Sequence, residues 1–200
     1  MKKQKIVFLH GAQGVGKTTV SNYLRERLVH TTLIRLAGVP SYQEDANQKA
    51  LLYHLSLLDG VNRTYGTMMN YVMDRSFLCE KVYANLGFKP HDFEKECEII
   101  ENVIETMTEY FDLYFVLLKA NEETFSKRLK TRKKAQFEAV KFKVENSLKQ
   151  QEEYEKELQK LPQAVNVLTM FVDDSTSSEV ADFIIETIFK KEEEDENQDH

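Results

Sequence analysis

An α/β fold, with a central parallel sheet of about five strands and helices on both faces, is what the sequence predicts on three observations. Short apolar runs alternate with helical patterns along most of the 200 residues. The first run leads directly into a glycine-rich loop. A helical pattern follows that loop at once, so the opening unit reads strand, loop, helix.

The first run, residues 6–9 of KIVFLH, is short, apolar and β-branched, as suits a strand buried on both faces. Next comes GAQGVGKTT at 11–19, which satisfies G-x-x-x-x-G-K-[ST] with Gly11, Gly16, Lys17 and Thr18. Val20, Leu24 and Leu28 then recur at helical spacing. This context predicts the P-loop NTPase fold. Glycines let the backbone turn tightly and aim successive N–H groups into one concavity, and the start of the helix adds partial positive charge. Gly11, Gln13, Gly14, Val15, Gly16, Lys17, Thr18 and Thr19 are therefore expected to bind ATP. Lys17 would reach the β- and γ-phosphates, and the Thr18 hydroxyl would ligate Mg²⁺.

Residues 31–40, TTLIRLAGVP, offer a second strand ending at a glycine and a proline. A helix is expected over 44–58 from Ala46, Ala50, Leu51, Leu55 and Leu58, with Gly60 and Gly66 as punctuation. MNYVMDRS is the third strand, closing on Asp74. Residues 92–110 form an amphipathic helical pattern, and LYFVLL at 113–118 is the fourth strand. A long amphipathic helix is expected over 137–161 through Phe137, Val140, Val144, Leu148, Tyr154 and Leu158; too few apolar heptads favour a coiled coil. VNVLTMFV is the fifth strand, before a last helix carrying Val180, Ile184 and Ile188. In such sheets ligands bind outside the carboxyl ends of the strands, which gathers the loops after strands one to four into one crevice.

Composition narrows the function. An apolar content of 42% is enough to bury one sizeable core, and a formal charge of −6 argues against a general nucleic-acid binder. Cys79 and Cys97 are too few for a disulfide framework or zinc site and fit a reducing cytoplasm. The basic, then apolar N-terminus is too short for a secretory signal, and no stretch approaches the roughly 18 apolar residues of a membrane helix. One P-loop domain is expected over residues 1–190, followed at 191–200 by an acidic, disordered tail. The oligomeric state is left open, a homodimer included.

Two further elements carry chemistry. Asp74 at a strand's carboxyl end can hold Mg²⁺ directly or through its water shell, and Arg75 can reach a phosphoryl group; the alternative is a pair that only caps the next helix. In NEETFSKRLKTRKK, Asn121 caps a helix that begins acidic and turns basic. Arg128 and Arg132 lie four apart on one face and could clamp a transferring phosphoryl group as part of a basic lid, or simply solvate the helix end.

This order of motifs resembles the thymidylate kinase and deoxynucleoside kinase group of P-loop phosphotransferases, across roughly residues 4–190. The carrying stretches are FLHGAQGVGKTT, the D-R-S strand end at 74–76, and the R-x-x-x-R helix at 128–132. The resemblance implies that Lys17 and Thr18 serve ATP and Mg²⁺, that Arg75 approaches the acceptor, that Arg128 and Arg132 sit on a lid over ATP, and that Tyr83 borders the acceptor pocket. The chain departs from the thymidylate kinase pattern at His10, often a glutamate there, at Gln13, commonly acidic, and at the end of the second strand. An acceptor phosphate needs further cations, which Arg75, Arg63 and Arg35 can supply. The expected function is ATP-dependent phosphorylation of a small-molecule acceptor, a (deoxy)nucleoside monophosphate. The alternatives are a deoxynucleoside kinase, a kinase for another small alcohol or a nucleic-acid end, and a P-loop regulatory protein.

Overall fold

The computed structural model describes residues 3–38, 45–130 and 143–190. Five strands form one sheet: β1 (Gln4–Gly11), β2 (Thr31–Arg35), β3 (Asn70–Asp74), β4 (Phe111–Lys119) and β5 (Asn166–Phe171). Their order is β2-β3-β1-β4-β5, and every pairing is parallel. The helices are α1 (Lys17–Arg27), α2 (Ala46–Asn62), α3 (Leu78–Asn85), α4 (Glu94–Met107), α5 (Glu122–Lys130), α6 (Val144–Leu158) and α7 (Ser177–Ile185), the last running into a π turn at Glu186–Lys190. This is the expected α/β P-loop architecture.

Alternation along β1 sorts the core into two layers, because successive side chains of a strand point to opposite faces. Ile6 and Phe8 join Met73, Leu113 and Phe115 under α2, α3, α4 and α6. Val7 and Leu9 join Val72, Val116 and Leu118 under α1, α5 and α7. Both layers cover β1 completely, which explains its unbroken apolar run.

Several boundaries differ from the sequence pattern. The helix expected to stop at Gly60 continues to Asn62, since Val61 is buried on the core face and outweighs the modest propensity cost of one glycine. The second strand ends at Arg35, well before Pro40, which with Val39 lies outside the described residues. Of the helix expected over 137–161, Val144–Leu158 is helical; Phe137 and Val140 lie outside the described residues, as does the 191–200 tail. Its buried face also differs: Ser147, Gln150, Gln151 and Glu157 are buried beside Tyr154 and Leu158. The inward stripe of α6 is therefore largely polar, and those polar groups have work to do at the site.

Candidate active site

The loop after β1 is shaped by backbone conformations that side chains resist. Gly11 has φ 141°, and a Cβ there would sit 2.5 Å from the Leu118 carbonyl oxygen, so β4 can pair alongside only a glycine. Gly16, at φ 105°, precedes α1 and places no side-chain hydrogen bond over the first turn. That end of the helix is thus left to an anion, where N–H groups and the helix dipole act together. Gln13, Gly14, Gly16, Lys17, Thr18, Thr19 and Arg75 line a cleft of about 70 Å³ at this point. Lys17 Nζ folds back to donate to the Gly11 and Ala12 carbonyls at 2.6 and 3.0 Å.

Asp74 arrives beside the loop because β3 pairs with β1, in a register that sets it opposite Leu9. The Thr18 hydroxyl donates to Asp74 Oδ2 at 2.8 Å, while Oδ1 is buried with no partner among the described residues. A buried carboxylate oxygen without a donor is expensive unless something else meets it. The hydroxyl, the carboxylate and the orphaned oxygen fit a hard divalent cation such as Mg²⁺.

Arg75 leaves the strand at φ 90°, a conformation that costs a non-glycine residue about 1–3 kcal/mol, and the turn brings it into the phosphate cleft. Burial works against its charge, but Cys79, Tyr83, Tyr154 and Asp74 around it hold its pKa above the usual guanidinium range. Ser76 then accepts a hydrogen bond from Leu78 N at 3.1 Å and pairs with His10 Nε2 at 2.6 Å, tying the start of α3 to the end of β1. Burial, helped by the charge of Lys17, lowers the His10 pKa to about 3, so the ring is neutral. It lies parallel to Phe115, with centroids 5.6 Å apart. His10 is a structural anchor.

Gln13 ties the loop to two helices. Its side-chain amide donates to the Tyr83 hydroxyl on α3. Its backbone N–H donates to Gln150 Oε1 at 3.1 Å, and its carbonyl accepts from the Ser147 hydroxyl at 3.0 Å. One turn of α6 thus brackets both polar groups of a single loop residue, while Gln151 Oε1 accepts from Ala120 N at 2.8 Å beyond β4. Ser147, Gln150 and Gln151 are absent from the sequence reading. Their spacing of three and four along a helix was the available signal, hidden because such a stripe normally carries apolar residues.

The other expected residues divide. Tyr83 reaches the loop through Gln13. Arg128 approaches the loop from outside: it donates to Val15 O at 2.5 Å and Val172 O at 3.1 Å, bracing the loop against the end of β5. Burial lowers its pKa, with Asp173 opposing. In this arrangement it braces the loop, and it also lies beside Gly16, where a Cβ would sit 3.5 Å from Arg128 Nη1. Arg132 lies outside the described residues, with Lys133 and Lys134.

Arg35 is not brought to the crevice. Alternation along β2 turns Ile34 toward the α2 layer and Arg35 toward α1, where it donates to Asn22. Arg63 lies at the opposite end of the sheet: it pairs with Asp59, and the neighbouring Thr64 carbonyl accepts from Gln4, the first residue of β1.

Loop, paired acid and parallel sheet together define a P-loop nucleotide-binding protein. The chain belongs to the AAA domain family AAA_18, which matches residues 7–151. No curated protein matches it. Among solved structures it is similar to the YorR protein of Bacillus subtilis in complex with phosphorylated GDP, at 18% identity over 92% of this chain and 95% of that one, with a TM-score of 0.66. Deoxyadenosine kinase of M. mycoides with bound dATP is 14% identical over 92% and 98%, with a TM-score of 0.58. The tunicamycin resistance protein of Deinococcus radiodurans is 13% identical over 94% and 96%, with a TM-score of 0.57. At these identities the likeness is one of fold. No helix among the described residues is long and apolar enough to cross a membrane.

Proposed function

We propose that the protein is an ATP-dependent kinase whose acceptor is a nucleoside monophosphate. The fold it shares with deoxyadenosine kinase supports phosphoryl transfer. The observation that carries the choice of acceptor is the lining of the phosphate cleft: among the described residues that line it are Lys17 and Arg75 but no carboxylate, and the nearby Asp74 carboxylate is engaged by Thr18. A nucleoside hydroxyl must give up a proton as it attacks, and a nearby base helps it do so. A phosphate monoester oxygen is already ionised at neutral pH. Two cations without a base therefore suit a monophosphate.

In the reaction, an oxygen of the acceptor phosphate forms a bond to the γ-phosphorus of ATP. The bond from that phosphorus to the β–γ bridging oxygen breaks, and ADP and a nucleoside diphosphate leave. The loop N–H groups and Lys17 hold the β- and γ-phosphates, and Arg75 holds the acceptor phosphate against them, where charge stabilisation and alignment supply most of the acceleration. Thr18 and Asp74 would hold Mg²⁺, which supplies charge neutralisation on the phosphate oxygens. The free thiols Cys79 and Cys97 suit a cytoplasmic protein.

A nucleoside kinase is the second reading, favoured by the dATP-bound neighbour. ATP consumption measured over nucleosides and nucleoside monophosphates, with products resolved, tests both. Mg²⁺-dependent formation of a diphosphate is the expected result. Transfer to nucleosides alone would favour the second reading, and ATP binding with no transfer product would leave a nucleotide-binding regulator.

A further inference from the structure

Between α2 and α4 the helical layer leaves an open groove of about 480 Å³, at the end of the sheet where Arg63 lies and away from the phosphate cleft. Leu58 and Met107, both buried, form its floor, and Leu55 and Val103, both half-buried, form its walls. Tyr110 closes one end, 40% exposed, with Tyr65 edge-on to it at 5.2 Å. Residues three and four apart share one face of a helix, so each wall continues past the groove itself. Ile99, 45% exposed, stands one turn before Val103, and Leu52, 56% exposed, one turn before Leu55. A scattered exposed leucine needs no explanation. Two apolar rows on neighbouring helices with an open groove between them are different, because they are the two sides of a seat into which the apolar face of a third helix fits.

The rim decides what kind of helix fits. Next to the apolar row of α4, one row further out, Glu98, Glu105 and Glu109 are all exposed, at spacings of seven and four. These three have no ion pair among the described residues, and Lys95 is the one cation of α4. On the other side Asp59 lines the groove, where Arg63 holds it at 2.8 Å. A second copy of this chain related by a two-fold axis would bring one acidic row toward another, and like charges set opposite each other oppose association. A helix with lysine or arginine flanking its apolar face meets the same row with opposite charge.

We propose that this groove docks an amphipathic helix of a partner protein, with apolar side chains entering between Leu55 and Val103 and basic side chains lying along Glu98, Glu105 and Glu109. The proposal stands apart from the kinase reading. The groove and the phosphate cleft lie at opposite ends of the sheet, so a docked helix leaves the cleft open to nucleotide.

The test uses three synthetic peptides of about 18 residues, or about five helical turns, titrated against the full chain by fluorescence anisotropy. The first carries leucine at three- and four-residue spacing with lysine on both flanks. The second replaces each lysine by glutamate, and the third keeps the lysines but scatters the leucines around the helix. The first should bind on the order of tenfold or more tighter than either of the others, and added salt should narrow its lead over the glutamate peptide. Ile99→Ser and, independently, Leu52→Ser change exposed positions and should each weaken the first peptide by about fivefold or more. Glu98→Lys combined with Glu105→Lys should reverse the order of the lysine and glutamate peptides, whereas Glu122→Lys combined with Glu152→Lys, on other faces, should leave it unchanged. Binding of the first peptide no tighter than that of either comparator, or no binding at all, overturns the proposal. A lysine preference that survives both serine variants and the Glu98 and Glu105 reversal also overturns it, since the peptide would then be following the net charge of −6. Sedimentation of the protein alone completes the test. A monomer, or a dimer that Ile99→Ser leaves intact, keeps the groove open for the helix, and a dimer that Ile99→Ser dissociates makes the occupant a second copy and overturns the assignment.

Discussion

The phosphate loop and the wall facing it are built from opposite materials. The loop offers a ligand mainly backbone, through glycines at positive φ and a helix start left without a side-chain cap. The wall presents side chains drawn from α2, α3 and α6: His54, Glu80 and Gln150, which are buried, and Tyr83, which is half-buried. Backbone N–H groups suit a ligand part that every nucleoside triphosphate shares. Side chains of fixed donor and acceptor character suit the part that differs between ligands. Damage to the loop should therefore abolish transfer to any acceptor, and damage to the wall should change which acceptor is used or how well the loop is held.

The largest effect is expected at Lys17. Lys17→Ala removes the ammonium that in the proposed reaction would meet the transferring phosphate, and kcat should fall by on the order of 10²–10³-fold or more, the scale for losing one donor from a charge-stabilising site. Its side chain bonds to two carbonyls of the loop itself and stands at the cleft rather than in the core, so the thermal midpoint should stay near wild type. Single-turnover transfer and a melting curve on the same sample check both halves. Undiminished transfer would remove the loop from the reaction and collapse the contrast.

Next comes the grip of α6 on the loop. Gln150→Ala empties a buried position and leaves the half-buried Gln13 N–H without its side-chain partner, at a cost of about 1–3 kcal/mol, read from the denaturant midpoint. Acceptor KM should rise with it, since Gln13 also positions Tyr83. Wild-type stability in this variant would show that water serves the N–H as well, making α6 a bystander to the site.

The two regions also differ in how far the sequence announces them. Residues 11–19 are contiguous, and their spacing alone encodes conformation and chemistry, so the loop, Thr18 and the role of β1 could be read directly. Asp74 was legible because a strand's end is a predictable place. The wall's residues are spread from position 54 to 150, and only the parallel order β2-β3-β1-β4 brings them together. Gln150 and Ser147 sit where a helical stripe is expected to be apolar, while Arg35 and Arg63 carry the expected charge but lie away from the cleft in this structure. Strand alternation turns Arg35 toward α1, and α2, running two residues past its glycine, carries Arg63 to the far end of the sheet. Charge type can be read from a sequence, but the face that carries it needs the register.

A pH titration sharpens the comparison at smaller scale, because one buried neutral imidazole lies in each region: His10 behind the loop and His54 in the wall. Their folded pKa values, about 3 and about 4, lie below the ordinary 6.5, so the unfolded chain binds more protons between those values and stability falls as pH drops. The loss begins near pH 6.5 and approaches about 1.4 kcal/mol per pH unit for each histidine until the folded pKa is reached. Denaturant midpoints at pH 6 and pH 5 measure it, and His54→Phe should remove one histidine's share of that slope. An identical slope in this variant would mean that His54 titrates freely and is not held neutral in the wall.

The smallest effect is expected at Arg63, and it separates cation type from cation position. Arg63 is 77% exposed and pairs with Asp59 one helical turn away, at the amino end of the sheet. Exposed pairs of this kind contribute about 0–1 kcal/mol because water and salt screen them and two long side chains must be held in place. Arg63→Ala should therefore shift the denaturant midpoint only slightly and leave the acceptor KM and kcat unchanged. Arg75→Ala, at the same charge but inside the cleft, should raise acceptor KM and lower transfer together, since it removes a cation from the place where two phosphates must be held against their mutual repulsion. Steady-state kinetics on the pair at low and moderate salt measure the difference. A matched loss in both variants would mean that the protein's overall field attracts the acceptor, and that the position of Arg75 beside the loop confers nothing beyond charge.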